Sequence, residues 1–380
     1  MAKVLGWAIT GLAVGGLAVG LWWWLTVRNA PWPAWEAFAE GFVQADGRVV
    51  DHTAGGRTVS EGQAYAAFFA LVANDPLRFD RIIEWTQNNL SAGSFAKQLP
   101  AWLWGEKDDG SWGVKDANAA SDADLWLAYA LFEASRLWAV PRYHAMAQDL
   151  LAQVKAKEIV ELPGVGPMLI PAPQGFQCDD GHWRLNPSYL PEFQLRYFQQ
   201  QDPEGPWSSV WGNFLGLMQR YRQQGLVPDW FEVAPSGQPV SCRVTGHLGS
   251  YDAIRSYLWA AMTPAAAEGQ GLMPLVAEAR STLRRGVADG SLEKIDVMTG
   301  ETQGPMPLGF AAALLPYFSA LDDDESVAAV EARLKDHRHD GLLGRPPHYY
   351  DQVLALFGEG HHDQRFSFDG LGRLNTRWAH

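Results

Sequence analysis

The sequence predicts an all-α fold: a closed (α/α)6 barrel, a toroid of six inner and six outer helices, with short β-strands confined to loops. Three observations lead there. Two kinds of helix alternate along the chain, one apolar on nearly every face and one apolar along a single stripe. Each striped helix follows an apolar one. No Pro/Gly/Ser-rich linker divides residues 31–380, so the helix pairs read as one domain. A helix that is apolar all round must be covered on every side, whereas a striped one can face water, and an inner ring wrapped by an outer ring satisfies both. An open α-solenoid is the alternative arrangement of the same pairs.

Taken in order, the chain begins MAKVLGWAITGLAVGGLAVGLWWWLTVRNA. No charge falls between Val4 and Val27, with Lys3 before the run and Arg28 after it. Residues 1–30 read as a signal peptide or an N-terminal membrane anchor. The length of the run and the Trp22-Trp23-Trp24 cluster at its end favour a retained anchor. Either way the body of the protein is expected in the periplasm or secreted, touching the inner membrane only through residues 4–27.

The next segment, Trp35 to Phe42, supplies an outer helix. TVSEGQAYAAFFALVAND opens the first apolar helix, Ala64 to Ala73; Ser60 and Gln63 have capping-box spacing, which places Ser60 at the cap and Glu61 in the first turn. Its striped partner carries Phe79, Ile82, Ile83 and Leu90. The second apolar helix, Ala123 to Ala134, follows AASDADLW, and its partner shows Tyr143, Met146, Ala147, Leu150, Leu151 and Val154. Tyr189 to Phe198 and Val210 to Tyr221 form a fainter third pair. Ala253 to Met262 is followed by Leu272, Leu275, Val276, Ala279 and Leu283 on one continuous stripe. Leu308 to Leu321 is followed by Val327, Val330 and Leu334, and Tyr349 to Phe357 is the sixth inner helix, partnered by the segment at the start. Between Glu158 and Ser188, and between Asp229 and Gly249, Gly, Pro and runs such as PMLIPAP and PVSCRV indicate long loops and small strands. RFSFDGLGRL reads as a hairpin. All of these are expected to decorate one end of the toroid.

Composition narrows the function. Over 380 residues the chain is 47% hydrophobic and 19% charged with a net charge of −13, which offers no basic patch for nucleic acid or an acidic polymer. A neutral substrate fits better. There are 18 tryptophans, and flat aromatic faces suit the apolar C–H faces of pyranose rings as well as they suit a core. Trp102, Trp104, Trp112, Tyr189 and Trp230 fall in loops or at inner-helix mouths and are the candidates for stacking. Cys178 and Cys242 could form one disulfide or remain two isolated thiols.

Acids recur at the mouths of inner helices: Glu61 in TVSEGQ, Asp122 and Asp124 in AASDADLW, and Asp252 in GSYDAIRSYLW. Acidic first-turn residues are ordinary, because they complement the helix dipole. Inner helices that alternate with outer ones run parallel, however, so these acids would gather at one end of the barrel. The dipole favours the ionised form, which suits a base or a sugar-binding acceptor. A proton donor at Glu61 would need burial, or the charge of Asp122 or Asp124, to hold its proton. Two carboxyls with opposed protonation states are what glycosidic bond hydrolysis requires.

TVSEGQAYAAFFALVANDPLRFDRIIEWTQ, NAASDADLWLAYALFEASRLW, NPSYLPEF, GLVPDWFE, GSYDAIRSYLW and YYDQVLALFGEG resemble the family 8 glycoside hydrolases, and within that family the endoglucanases encoded with bacterial cellulose synthase. The resemblance spans Trp35 to Trp378. It implies endo-hydrolysis of β-1,4-glucan with inversion, a cellulose chain as substrate, and a cellulose synthase complex as partner. By the same resemblance Glu61 is the general acid and Asp252 the general base, flanked by Tyr251 and Arg255. Asp122, labelled a nucleophile in the family, binds and distorts the sugar at the cleavage site; Asp124 is counted with the sugar-binding groups. Leu127 stands where the family's signature helix often has Ile or Met. No cofactor or metal is expected, since neither His361-His362 nor HRHD at 337–340 has a ligand set. Chitosan, xylan and mixed-linkage β-glucan are alternative substrates, and a non-catalytic glycan-binding or assembly subunit is the alternative function.

Overall fold

The computed structural model describes residues 30–221, 223–265 and 271–379. The expected apolar run at 4–27 lies outside them; among the described residues no helix is long and apolar enough to cross a membrane. Helices α1 (Pro33–Phe42), α2 (Ser60–Val72), α3 (Pro76–Leu90), α4 (Ser121–Trp138), α5 (Pro141–Lys157), α6 (Glu192–Gln201), α7 (Trp207–Tyr221), α8 (Ala253–Met262), α9 (Met273–Val276), α10 (Arg280–Asp289), α11 (Leu308–Ala320), α12 (Asp324–Asp336) and α13 (Tyr349–His362) alternate between two layers. The inner ring is α2, α4, α6, α8, α11 and α13. The outer ring is α3, α5, α7, the pair α9–α10, α12 and, against α13, α1.

Burial separates the layers as the sequence pattern requires. In α2 every residue is buried except Glu61, and in α4 every residue from Ser121 to Ala134 is buried. The outer α3 buries one stripe, Phe79, Ile82, Ile83, Trp85, Thr86 and Leu90. Neighbouring inner helices meet through aromatic pairs: Phe68 and Trp126 join α2 to α4 at 5.0 Å, Tyr129 and Tyr197 join α4 to α6 at 5.0 Å, and Tyr257 and Tyr317 join α8 to α11 at 5.6 Å. Phe69 and Phe357, 4.5 Å apart, bring α13 back to α2 and close the ring. Trp126, Trp259 and Phe357 also touch across the middle, so the toroid is a packed core and not a pore. Helices α11 and α13 approach so closely that a Cβ on Gly358 would lie 1.9 Å from the carbonyl oxygen of Ala312.

Strands β1 (Thr58–Val59), β2 (Leu103–Glu106) and β3 (Trp112–Asp116) form one small antiparallel sheet at the N-terminal end of the inner helices. Strands β6 (Trp183–Leu185), β7 (Phe231–Val233) and β8 (Pro239–Ser241) form a second, and β9 (Leu248–Gly249), β10 (Ser291–Asp296) and β11 (Thr302–Pro305) a third. Hairpins β4–β5 (Ile159–Leu162, Gly166–Leu169) and β12–β13 (Arg338–His339, Leu342–Leu343) complete that end. At the opposite end three inner-to-outer connections each use a residue in the left-handed region, Asn74 (φ 56°), Ala139 (φ 56°) and Asp322 (φ 51°), which lets the chain reverse within a few residues.

Two expectations are corrected. The hairpin β14–β15 (Phe366–Phe368, Leu374–Thr376) does not join the other strands. It plugs the far end of the barrel, with Phe368 stacked 3.8 Å from Phe193 and Leu374 N–H donating to Glu133 in the later part of α4. The stripe from Leu272 to Leu283 is also not one helix: α9 and α10 are separated by a 3-10 turn at Ala277–Ala279. There the Tyr317 hydroxyl donates to the Val276 carbonyl at 2.8 Å, so the backbone no longer needs to satisfy that acceptor itself.

Candidate active site

Strand β1 runs directly into α2, and Ser60 N–H donates to the Trp102 carbonyl at 3.0 Å. This fixes Glu61 as the one side chain of α2 that looks out of the barrel. The capping box does not form. Val59 occupies the cap position, and Gln63 is buried behind it, accepting from Val49 N–H at 2.6 Å and donating to Thr86 Oγ1 at 3.0 Å. Gln63 ties α2 to its outer partner; Ser60 Oγ turns to Glu61 Oε2, 3.4 Å away.

Asp122 opens α4 and is 1% exposed. Its Oδ1 accepts from Ala123 N–H at 2.9 Å, while Oδ2 faces the Tyr65 hydroxyl at 3.5 Å and the Arg255 guanidinium at 3.7 Å. Asp252 sits at the cap of α8 with its side chain 27% exposed, but it does not cap the helix. Its Oδ1 accepts from Arg255 Nη2 at 2.9 Å. The capping is done by Asp229, just before β7, whose Oδ1 accepts from Ser250, Asp252 and Ala253 N–H at 2.7, 3.1 and 2.8 Å. Arg255 is the shared cation. Besides the two aspartates it donates to Ser188 Oγ at 2.8 Å and to the Tyr350 hydroxyl at 3.0 Å.

Burial dominates the electrostatics of the acids. Burial holds the Glu61 carboxyl above its ordinary pKa; its own backbone N–H and Arg255 oppose this, and the charge of Asp252 adds to it. The charge that adds to the rise of Glu61 is that of Asp252, on a different hairpin, while between Glu61 and Asp122 it is Glu61 that raises Asp122. Burial and then the charge of Glu61 push Asp122 up to about 8, against the pull of Arg255. Asp229 rises to about 6, first by burial and then by the nearby Asp252, with its three N–H donors pulling it back.

Glu61, Asp122 and Asp252 are thus brought together, with Arg255 between the aspartates. Tyr189 joins them, its ring 6.0 Å from the Arg255 Cζ. Trp230 stands edge-on to Tyr189 at 6.0 Å and stacks on Phe176 at 5.6 Å, with Arg184 over both rings. Tyr251, 46% exposed, donates to Glu293 Oε1 at 3.1 Å, and its carbonyl accepts from Tyr350. A second aromatic platform grows from the β1–β2–β3 sheet. Trp104 and Trp112 lie 5.4 Å apart, and Arg48 rests 4.3 Å from one ring and 4.9 Å from the other. Trp112 is 47% exposed. Trp102 is different: it packs half-buried against the core.

Asp124 is not part of this face. It is wholly buried on the other side of α4, toward Glu158, because residues two apart on a helix point in nearly opposite directions. The residues that sequence reasoning missed are Asp229, Tyr350, Ser188 and Tyr65. Asp229 carried one signal, its position immediately before Trp230 in GLVPDWFE. Cys178 and Cys242 are free thiols.

The family model described as "Glycosyl hydrolases family 8" matches residues 11–364. An endoglucanase of Xanthomonas axonopodis pv. citri is 43% identical over 362 residues, 92% of this chain and 90% of that protein. An endoglucanase of Escherichia coli (strain K12) is 39% identical over 352 residues, covering 92% of each. Among solved structures, an endo-1,4-D-glucanase from Vibrio fischeri superposes with a TM-score of 0.83 at 36% identity, covering 92% of this chain and all of that one. A cold-adapted family 8 xylanase, 16% identical with a TM-score of 0.68 over 86% of this chain and 89% of its own, shares the fold. The chain belongs to glycosyl hydrolase family 8 and is a glycoside hydrolase with the (α/α)6 fold.

Proposed function

We propose that this hydrolase is an endo-β-1,4-glucanase that cleaves internal bonds of a cellulose chain with inversion. One observation carries the assignment of roles: Glu61 is the one residue of α2 that is not fully buried, its carboxyl is raised by burial toward the protonated form, and the charge that adds to this is that of Asp252, held by Arg255. Glu61 protonates the leaving glycosidic oxygen. Asp252 accepts a proton from the water that attacks the opposite face of the sugar, so no glycosyl-enzyme bond forms. Asp122, with Tyr65 and Arg255 behind it, grips the sugar at the cleavage point. Trp230 with Tyr189, and Trp104 with Trp112, hold sugar faces further along, and Tyr251 lines the rim beside the base. The endo-β-1,4 specificity is supported by relatives named endoglucanase at 39–43% identity.

The test is hydrolysis of cellohexaose followed by proton NMR, beside Glu61→Gln and Asp252→Asn. Release of α-anomers by the wild type, and loss of about 100-fold or more in kcat in each variant, is the expected result. Wild-type activity in Glu61→Gln, or β-anomeric products, would overturn these roles. A panel of chitosan, xylan and mixed-linkage glucan decides the substrate.

The periplasmic or secreted location, the attachment through residues 4–27 and the partnership with a cellulose synthase complex belong to the same proposal. They are supported by the uncharged run between Lys3 and Arg28. Cell fractionation with intact-mass analysis checks the first two, and co-purification with the synthase checks the third.

A further inference from the structure

The first turn of α4 carries two aspartates, about 200° apart around the helix axis. Turning Asp122 toward Arg255 therefore turns Asp124 toward the outer ring. There it meets Glu158, the residue that terminates α5. Both are 0% exposed. Apart from one another, none of their four carboxyl oxygens meets an N–H or O–H donor among the described residues. With no other donor at hand among the described residues, each carboxyl has the other as its neighbour, and a hydrogen bond between two carboxyls requires a proton between them. The other charged groups that face the pair are Asp122 and Glu61 from the groove side and Lys157 from the end of α5.

Two ionised carboxylates in contact and out of water repel each other and forfeit their hydration, so the pair holds at least one proton at neutral pH. Burial pushes both carboxyls well above the ordinary range, and each raises the other through its charge. The proton belongs to the pair and not to either residue.

We propose that Asp124 and Glu158 share a proton, and that this carboxylic acid–carboxylate bond is a strut between inner and outer ring that positions the first turn of α4 and, through it, Asp122. The inference rests on the reading of Asp122 as the group that grips the cleavage-site sugar. Asp124 and Glu158 are positioning residues; neither touches the glucan.

The experiment uses the full chain with Glu158→Ala, Glu158→Gln and Asp124→Asn. An amide at either position donates to the remaining carboxylate and preserves the strut without the shared proton, whereas alanine breaks it. On cellohexaose, Glu158→Ala is expected to lose about 10- to 100-fold in kcat with KM within about twofold, since a displacement near 1 Å costs that much. Glu158→Gln should recover to within about threefold of the wild type. Infrared difference spectra at neutral pH, wild type minus variant, should show loss of one buried protonated-carboxyl contribution in each amide variant, over the background of the other raised carboxyls, Glu61 and Asp122.

Stability supplies a third readout. The folded wild type keeps a proton that the unfolded chain releases above about pH 4, so its Tm falls as pH climbs above that value; Glu158→Gln has one proton fewer to keep and falls less steeply. Wild-type kcat in Glu158→Ala, undiminished protonated-carboxyl intensity in both amide variants, or an unchanged slope of Tm would each overturn the strut. The spectroscopic and thermal readouts need no activity, so failure of the glucanase reading and failure of the strut are told apart. They also decide the matter if Glu158→Ala does not fold.

Discussion

The cap that Asp229 places on α8 allows a prediction in which two substitutions at one position have opposite effects. Asp229 is 7% exposed and accepts three backbone N–H groups on one oxygen. If these bonds outweighed burial, its carboxyl would be more acidic than usual; instead it rises from 3.8 to about 6. That difference corresponds to about 3 kcal/mol of cost for holding the charge in the fold at neutral pH.

Asparagine keeps the accepting oxygen and removes the charge. Asp229→Asn is therefore expected to match or exceed wild-type stability at pH 7, by up to about 3 kcal/mol. Asp229→Ala removes the acceptor from all three N–H groups and should lose about 2–4 kcal/mol. The sign has a pH window. Wild-type stability declines as pH rises from the unfolded value near 4 through about 6, so the advantage of asparagine is present above about pH 6 and vanishes below about pH 4. Guanidinium unfolding followed by tryptophan fluorescence at three pH values measures this. Equal destabilisation by both substitutions, or an asparagine effect that ignores pH, would refute the reasoning. In kcat the alanine variant should lose about 100-fold, because the turn bearing Asp252 is no longer pinned.

Other perturbations follow from the same geometry. Arg255→Met removes the cation that lowers Glu61 and Asp122. It should reduce kcat by about 100-fold or more and move the alkaline limb of the kcat/KM profile upward, because Glu61 then holds its proton harder. Trp112→Ala removes the exposed ring of one platform and should raise KM for long cello-oligosaccharides about three- to tenfold with Tm unchanged, a loss of about 0.5–1.5 kcal/mol. Gly358→Ala forces α13 away from the Ala312 carbonyl and should cost about 3 kcal/mol or more, read as a fall in Tm.

The helical layers were legible because burial on all sides and burial on one side leave different patterns, and α2 beside α3 shows both. The acids at the helix mouths were legible because parallel inner helices must bring their N-termini together. What escaped was contact between distant segments. Asp229 caps α8 from 24 positions upstream of Ala253, and no local spacing encodes that. Gln63 had the spacing of a capping residue, but packing against Thr86 claimed its side chain. Asp124 was grouped with Asp122 by proximity along the chain, although a two-residue step on a helix should have sent it to the opposite side. The break between α9 and α10 depends on a tyrosine forty-one residues away.

The three left-handed connections at Asn74, Ala139 and Asp322 sit at the end of the toroid opposite the helix mouths that carry Glu61, Asp122 and Asp252. Each is a short reversal of the chain, and the residue types differ while the backbone shape repeats. Those corners are natural points for grafting: a tag, a tether or an extra module inserted there lengthens one seam of the ring without entering the path of the polysaccharide. A designer wanting this catalyst on a surface would hold it by that side.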